Sequence, residues 1–223
     1  MPHAIPFSDI PGVLNRLDGF MRAYPRAAMF ELRERGFGGL FGQLVACVLS
    51  IRTMDEVSLP LSMALLGRAS SPEALLALPE GELLALIETA TYPGQKVQTL
   101  RTISRVLVEQ YNGLPPADYD ALVALPGIGP KCASLALGIG AGVPAISVDI
   151  HVHRVVNRWG TVATTTPERT QALLLANLLP AIWIDVNRLL MPFGKYVCKG
   201  PRPLCSQCLL RQECPKIGVT VHG

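Results

Sequence analysis

The stretch LPGIGPKCASLAL, residues 125–137, joins a glycine- and proline-rich turn to apolar residues at helical spacing. The preceding stretch DYDALVAL, residues 118–125, has the same spacing. A dinucleotide-binding loop is excluded, because no strand pattern precedes the glycines and the third glycine of that motif is missing. The sequence therefore predicts two helices joined by a tight Pro-Gly-Ile-Gly turn.

This turn has two interpretations. Gly127 and Gly129 can adopt left-handed backbone angles and leave amide N–H groups uncovered at the start of the second helix. A backbone phosphate fits such amides without any base being read. Ile128 is expected to anchor the turn from below. The alternative is an ordinary helical hairpin whose glycines only save space.

Composition limits the class of protein. The chain has 223 residues, of which 49% are hydrophobic and 17% charged, so it is globular rather than disordered. The net charge of +3 is too small to indicate nucleic acid by itself. The first ten residues lack the features of a secretory signal, and the longest apolar stretch, residues 40–51, is too short to cross a bilayer. We expect a soluble, monomeric protein of the bacterial-type cytosol that does not bind membranes.

Helical spacing predicts an all-α fold without strands. Thr53 with Glu56 has the spacing of a capping box, and Ser71 and Thr166 each precede a proline at a helix start. Helix ends are predicted at four glycines, Gly67, Gly94, Gly113 and Gly160. The predicted helices span residues 39–50, 56–66, 72–78, 81–89, 97–110, 131–138, 150–158, 168–178 and 181–191.

The six cysteines fall into two groups. Cys47 and Cys132 lie inside apolar helical runs. The other four have the spacing C-x6-C-x2-C-x5-C, at Cys198, Cys205, Cys208 and Cys214. Four thiolates in one segment of a cytosolic protein indicate a metal centre more than disulfides. The long gaps favour a [4Fe–4S] cluster over zinc, whose sites more often use two close cysteine pairs.

Taken together, these motifs resemble the endonuclease III family of DNA glycosylases. ALPGIGPKCASLAL, residues 124–137, is similar to its helix-hairpin-helix, and AISVDIHVHRVVNR, residues 145–158, to its catalytic-aspartate segment. The cysteine spacing is similar to that of its iron–sulfur loop, here residues 198–214. The motifs occur in the family's order, so the resemblance extends from about residue 25 to residue 216.

The resemblance implies an organisation and a partner. It implies two helical lobes: a six-helix bundle with the helix-hairpin-helix over residues 28–140, and a second lobe of residues 1–27 plus 141–223 that carries the [4Fe–4S] loop. It also implies binding to double-stranded DNA with damaged bases or abasic sites. The damaged nucleotide would be flipped out of the stack.

The resemblance also implies catalytic residues. Lys131 falls on the nucleophile position, where a neutral amine attacks the sugar and becomes a Schiff base. Partial burial and the helix dipole would have to lower the pKa of this lysine. Its alternative role is a surface lysine on phosphate. Asp149 falls on the catalytic carboxylate, and its alternative role, a helix N-cap, is compatible with catalysis.

Other positions are expected to contact DNA. Relatives carry Ser-Ala-Gln near the end of the early core helix, and its glutamine fills the gap left by the flipped base; this chain has Ile51 and Arg52 there. The other DNA-probing loop of relatives usually reads Gly-(large apolar)-Tyr before Lys-Ala. Here it reads Tyr92-Pro93-Gly94 before Lys96. Arginine reads an orphan base differently from an amide, so the lesion preference stays open. The full set of expected DNA contacts is Gly127, Gly129, Arg52, Tyr92, Lys96, His151 and Arg154.

Three functions are compatible with these features. The first is a bifunctional glycosylase that removes oxidised pyrimidines and cleaves abasic sites. The second is the adenine-removing branch of the superfamily, which lacks the hairpin lysine and usually adds a C-terminal domain. The third is a weakly active, non-catalytic or redox-sensing DNA-binding protein. The combination of Lys131 and Asp149 favours the first.

Overall fold

The computed structural model describes residues 3–223, which contain α-helices and no β-strand. The predicted all-α fold is confirmed. The α-helices in chain order are α1 (Ile10–Met21), α2 (Ala28–Leu32), α3 (Leu40–Ser50), α4 (Asp55–Arg68), α5 (Pro72–Ala77), α6 (Glu80–Leu86), α7 (Pro93–Tyr111), α8 (Tyr119–Val123), α9 (Pro130–Ala136), α10 (Ile150–Arg158), α11 (Pro167–Asn177) and α12 (Trp183–Tyr196).

The chain divides into two compact units. One is formed by Ala28–Val143 and contains α2 to α9, and the other joins the described residues up to Ala27 to Pro144–Gly223. The division falls three residues later than the sequence predicted. The first unit has eight helices, not the six that the family resemblance implied, because it includes several of only five to seven residues.

Helix α3 is the centre of the Ala28–Val143 unit. Every residue from Phe41 to Leu49 is buried, including the polar Gln43. A helix that is apolar around its whole circumference needs neighbours on every side. Helices α4, α7 and α9 supply them.

The second unit is built around α12. Helix α12 packs against α1 and α10, and its Phe193 ring lies 6.2 Å from the ring of Trp159. The backbone N–H of Ile5 donates to the carbonyl of Trp159 at 2.9 Å, which ties the N-terminal segment to the end of α10. Their side chains belong to one apolar core.

Some predicted helix ends are confirmed. The Ser71 hydroxyl accepts a hydrogen bond from the Ala74 N–H, and the Thr166 hydroxyl accepts one from the Arg169 N–H. Gly113 and Gly160, the second residue after α10, have positive φ angles of 77° and 71°. These are the caps and stops that the sequence predicted.

Other predicted ends are wrong. The N-cap of α4 is Met54, without a side-chain cap, because the Thr53 hydroxyl bonds to other groups. Gly67 lies inside α4, which ends at Arg68. Gly94 lies in the first turn of α7, which begins at a proline.

Two helices were not predicted, whereas α8 is the helix predicted from DYDALVAL, residues 118–125. Helix α2 has five residues, too few to show a period of 3.6. Helix α1 contains Pro11, Gly12 and Gly19, which reduce its intrinsic preference for helix. It forms because its apolar face is buried against α12. Among residues 3–223, no helix meets the length and hydrophobicity needed to span a membrane.

A disulfide joins two helices of the Ala28–Val143 unit. Cys47 of α3 and Cys132 of α9 are bonded, with their Cα atoms 5.7 Å apart and a separation of 85 positions in sequence. Both side chains are buried, at 3% and 8% exposure. The sequence placed both cysteines in apolar helices but did not predict that they are paired.

Reduction of this disulfide should destabilise the protein. A crosslink across so many residues limits the entropy of the unfolded chain, so we expect the free energy of unfolding to fall by about 2–4 kcal/mol on reduction. Urea titration followed by circular dichroism, with and without a thiol reductant, measures the difference. The Cys47→Ala/Cys132→Ala double variant is the control, and its curve should not respond to the reductant. An unchanged wild-type curve would contradict the expectation.

Candidate functional site

The turn between α8 and α9 uses its two glycines differently. Gly127 has φ +78°, and a Cβ added there would lie 2.7 Å from Thr99 Cγ2. Gly129 has φ −90° and is the N-cap of α9. Ile128 is 4% exposed, which confirms that it anchors the turn. Only Gly127 therefore needs the left-handed conformation that the sequence analysis attributed to both glycines.

Lys131 lies in the first turn of α9 and is exposed. The expected partial burial of this lysine is therefore wrong. The next residue, Cys132, is buried and bonded to Cys47 of α3. The start of α9 is thus held by a covalent bond directly beside the side chain that was predicted to be the nucleophile.

Asp149 is the N-cap of α10. One of its carboxylate oxygens, Oδ1, accepts hydrogen bonds from the backbone N–H groups of His151 and Val152, each at 2.9 Å. The capping role that the sequence analysis set beside catalysis is therefore confirmed. The two bonds fix the position of a carboxylate that remains partly exposed.

The same helix holds the cysteine loop in place. The Arg154 guanidinium donates to the Cys198 carbonyl at 3.2 Å and to the Gly194 carbonyl at 2.7 Å. Its Nη2 also lies 3.0 Å from His151 Nδ1. The prediction that Arg154 contacts DNA is corrected, because its donors bind the backbone of the C-terminal segment.

Arg158, one turn further along α10, makes the same kind of contact. It donates to the carbonyls of Lys199 and Gly200, each at 2.6 Å, and lies 3.5 Å from the Cys198 sulfur. Two arginines of one helix therefore fix the start of the cysteine loop. Arg158 was not predicted as a site residue, although its spacing of four residues from Arg154 places both on one helix face.

The four loop cysteines line one pocket. They are free and partly buried, and the same pocket is lined by apolar side chains that include Trp159, Phe193 and Leu204. Burial raises the pKa of the Cys208 thiol to about 11. Burial also raises the pKa of the Cys205 and Cys214 thiols.

Backbone N–H groups point at these sulfurs. The Leu210 N–H donates to Cys208 Sγ and the Lys216 N–H donates to Cys214 Sγ, both at 3.4 Å. Such donors stabilise sulfur as an anion, the form in which cysteine binds metals. Within residues 3–223, no three His, Cys, Asp or Glu side chains form a group around a single metal ion, whereas a [4Fe–4S] cluster is a larger object that four thiolates surround.

Arg52 and Tyr92, two of the exposed residues in the Ala28–Val143 unit, have left-handed backbones. Arg52, after α3, has φ 55°, and Tyr92, before α7, has φ 54°. Both were predicted to contact DNA, and both side chains are exposed. Their loops are hydrogen-bonded to each other, since the Thr91 hydroxyl donates to the Arg52 carbonyl at 2.8 Å.

Lys96 does not lie where the sequence analysis placed it. Its side chain is 6% exposed, and its ammonium donates to the carbonyls of Leu49 and Ile51 and to the Thr53 hydroxyl. The prediction that Lys96 contacts DNA is corrected, because all three of its donors bind protein oxygens.

The fold and sequence match known proteins. Residues 45–180 match the HhH-GPD superfamily of base excision DNA repair proteins. Over 174 residues the chain is 38% identical to endonuclease III of Thermotoga maritima, which covers 78% of this chain and 82% of that protein. It is also 38% identical to endonuclease III-like protein 1 of Bos taurus over 175 residues, covering 77% of this chain and 57% of that protein.

A solved structure gives the same result. A trapped covalent intermediate of endonuclease III with DNA is similar to this chain with a TM-score of 0.78 and 26% identity, covering 95% of this chain and 97% of that one. The chain belongs to the endonuclease III family. As a member of that family it is a base-excision repair enzyme, a DNA glycosylase that also cleaves abasic sites. The resemblance inferred from the three motifs is confirmed.

Some features of this endonuclease III relative were not predicted. One is the pair of hydrogen bonds by which Thr53 and Thr91 join the loops of Arg52 and Tyr92. The other is the disulfide between Cys47 and Cys132. The loop contacts have no signal in sequence, because the two threonines are separated by 38 positions. The hydroxyl of Thr53 has capping-box spacing, and that local signal pointed to the wrong partner.

The two hairpin glycines should respond differently to alanine. Gly127→Ala forces a side chain into left-handed backbone and against Thr99, so we expect about 1–3 kcal/mol of destabilisation. Gly129→Ala meets nothing within 4 Å at negative φ, so we expect less than about 1 kcal/mol, mostly from the N-cap preference. Urea unfolding of both variants measures the difference. Equal losses would contradict the assignment of the left-handed residue.

Proposed function

We propose that this enzyme removes oxidised pyrimidines from duplex DNA, with Lys131 as nucleophile and Asp149 as catalytic carboxylate. The observation that carries the proposal is the exposed lysine at the start of α9, directly after the glycine turn. The endonuclease III structure that resembles this chain is a covalent intermediate with DNA, which requires a nucleophile on the protein. We assign that role to Lys131, which the family resemblance places on the nucleophile position of the hairpin.

The chemistry requires an amine. Uncharged Lys131 attacks C1′ of the sugar, the bond to the damaged base breaks, and the sugar ring opens to give an imine. The imine acidifies the hydrogens on C2′, so loss of one of them expels the 3′ phosphate oxygen and cleaves the strand. A hydroxyl or carboxylate could not form the imine.

Asp149 supplies negative charge and a proton acceptor. A carboxylate stabilises the positive charge that develops on the sugar as the base leaves, and it can take the proton that the amine loses on attack. Its two backbone hydrogen bonds hold it still during these steps.

The remaining contacts are assigned to DNA by position. The amides at Gly127 and Gly129 would bind a backbone phosphate. Exposed Arg52 would bind the base left without a partner, and Tyr92 would stack on a neighbouring base. His151, two residues after Asp149, is kept as an expected DNA contact. Lys96 and Arg154 are left out of this set because their donors bind backbone or hydroxyl oxygens of the protein.

We propose that Cys198, Cys205, Cys208 and Cys214 hold a [4Fe–4S] cluster. The fit is supported by four cysteines around one pocket with apolar walls and by N–H donors aimed at two of the sulfurs. Bound there, the cluster would close the C-terminal loop by crosslinking it. The loop would then be a rigid support for the arginine contacts of α10.

Metal analysis tests the cluster. Protein purified without oxygen should be brown and contain about four irons and four labile sulfides per chain, as a [4Fe–4S] cluster requires. Cys208→Ser should lower both, whereas Cys47→Ala/Cys132→Ala should keep both because that pair lies in the other unit. One zinc per chain, without iron, would refute the proposal.

Borohydride trapping tests the nucleophile. Duplex DNA with an abasic site should give a covalent adduct with the wild type, and Lys131→Gln should abolish it. Lys199→Gln, which changes another exposed lysine, should give the wild-type yield. An adduct that survives in Lys131→Gln would assign the nucleophile elsewhere.

The carboxylate needs a variant that keeps the helix cap. Asparagine is as good an N-cap as aspartate, so Asp149→Asn should fold normally. We expect it to remove bases roughly 100-fold more slowly or worse, the usual contribution of such a group. Single-lesion duplexes, with the opposite base varied, measure the rate and the lesion preference together. A wild-type rate in this variant would remove Asp149 from the mechanism.

A further inference from the structure

Two exposed side chains are presented by strained backbone. Arg52 and Tyr92 both have φ near +55°, a conformation that non-glycine residues rarely adopt. Tyr92 is 55% exposed, so burial of its ring does not explain the strain. Strain of this kind persists only where the surrounding structure enforces it.

The buried ammonium of Lys96 enforces the left-handed backbone conformation at Arg52. Lys96 Nζ donates to the Leu49 carbonyl at 2.6 Å, to the Ile51 carbonyl at 2.9 Å and to the Thr53 hydroxyl at 2.7 Å. These acceptors lie on both sides of Arg52. The chain must therefore fold tightly around Lys96 at this point, and Arg52 takes the left-handed conformation at the bend.

The same contacts reach the Tyr92 side. The Thr53 hydroxyl, which accepts from Lys96, also accepts from the Thr91 N–H at 3.2 Å. The Thr91 hydroxyl donates back to the Arg52 carbonyl at 2.8 Å. The Lys96 N–H donates to the Tyr92 carbonyl at 3.2 Å in the first turn of α7. Residues 51–53 and 91–92 are thus one hydrogen-bonded structure, which we call the paired loops.

A cap on α3 would explain only part of this arrangement. A lysine that only satisfied the end of α3 would need the Leu49 carbonyl and no more. The other two acceptors, Ile51 and Thr53, lie beyond the end of α3 and on either side of Arg52. Burying an ammonium costs free energy, and burial lowers the pKa of Lys96. The cost is offset only if all three acceptors are held in place.

We propose that Lys96 is the positioning residue of the paired loops and joins Arg52 and Tyr92 into one unit. Lys96 sets where Arg52 and Tyr92 meet the base pair and does not itself touch DNA. This inference rests on the proposed function. It assigns the paired loops to the opening of a damaged base pair, a step that an abasic site does not need because it has no base to extrude.

If the paired loops act in opening the base pair, the rates of two reactions should respond differently to their loss. Loosening the paired loops should slow removal of a damaged base much more than cleavage at an abasic site that already exists. A general loss of stability should slow both reactions together. The ratio of kcat/KM for base removal to kcat/KM for abasic-site cleavage therefore separates a positioning role from a loss of folding stability.

Thr53 offers a matched pair of variants. Thr53→Val keeps the shape of the side chain but removes the acceptor for Lys96 and Thr91, and Thr53→Ser keeps the hydroxyl. We expect Thr53→Val to reduce kcat/KM for the base lesion that the wild type removes fastest by roughly 10-fold, the effect of one well-placed hydrogen bond. Cleavage at the abasic site should change less than about twofold, and Thr53→Ser should stay within about twofold in both reactions.

Two further variants complete the test. Lys96→Met should lower the ratio at least as much as Thr53→Val. Leu107→Ala removes a fully buried side chain of α7 away from the paired loops, so it should lower stability and leave the ratio unchanged. Equal ratios in Thr53→Val and Thr53→Ser, or a lowered ratio in Leu107→Ala, would overturn the inference.

Failure of the proposed function would appear separately, in the wild type. If the wild type forms no borohydride adduct, Lys131 chemistry is refuted. The paired loops are then compared by the fluorescence of 2-aminopurine placed beside a damaged base pair, which reports the opening of that pair and needs no catalysis. Saturating wild type should change this fluorescence and Thr53→Val should change it less than half as much. Equal changes would overturn the inference.

Discussion

The Ala28–Val143 unit depends on burying helix α3 on every side. A buried helix leaves its last four carbonyls without intrahelical partners, and each must find a donor. Here the four donors are the Ser50 hydroxyl for Cys47, the Ile51 N–H for Val48, the Lys96 ammonium for Leu49 and the Thr53 N–H for Ser50. Satisfying this one helix end therefore determines the path of the chain through Arg52, which is the residue that meets DNA in our proposal.

Helix α10 has a comparable role in the second unit. Its N-terminus is capped by Asp149, and its arginines hold the backbone from Gly194 to Gly200. Its apolar face, Val152, Val155 and Val156, is buried in the core with α12. One helix therefore positions the proposed catalytic carboxylate and the start of the cysteine loop.

Local sequence predicted the features that neighbouring residues decide. Ser71 and Thr166 cap helices because a hydroxyl three residues before a free N–H can reach it without help from the rest of the chain. The same reasoning was wrong for Thr53, where two distant donors compete for the hydroxyl. It was also wrong for Lys96, since an isolated lysine in sequence is expected to be solvated. In both cases the partner lies about 40 residues away, beyond any local pattern.

By itself the sequence determined the all-α class, the helix-hairpin-helix and its lysine, the capping aspartate, the cysteine loop and the family to which they belong. These follow from spacing within short segments, where periodicity, glycine and proline act directly on the backbone. Tertiary structure decided which of two glycines is left-handed, that Cys47 and Cys132 are bonded, and that two expected DNA contacts are internal donors. The reason is physical: a buried cation or thiol is defined by the groups that packing brings to it, and packing joins segments far apart in the chain.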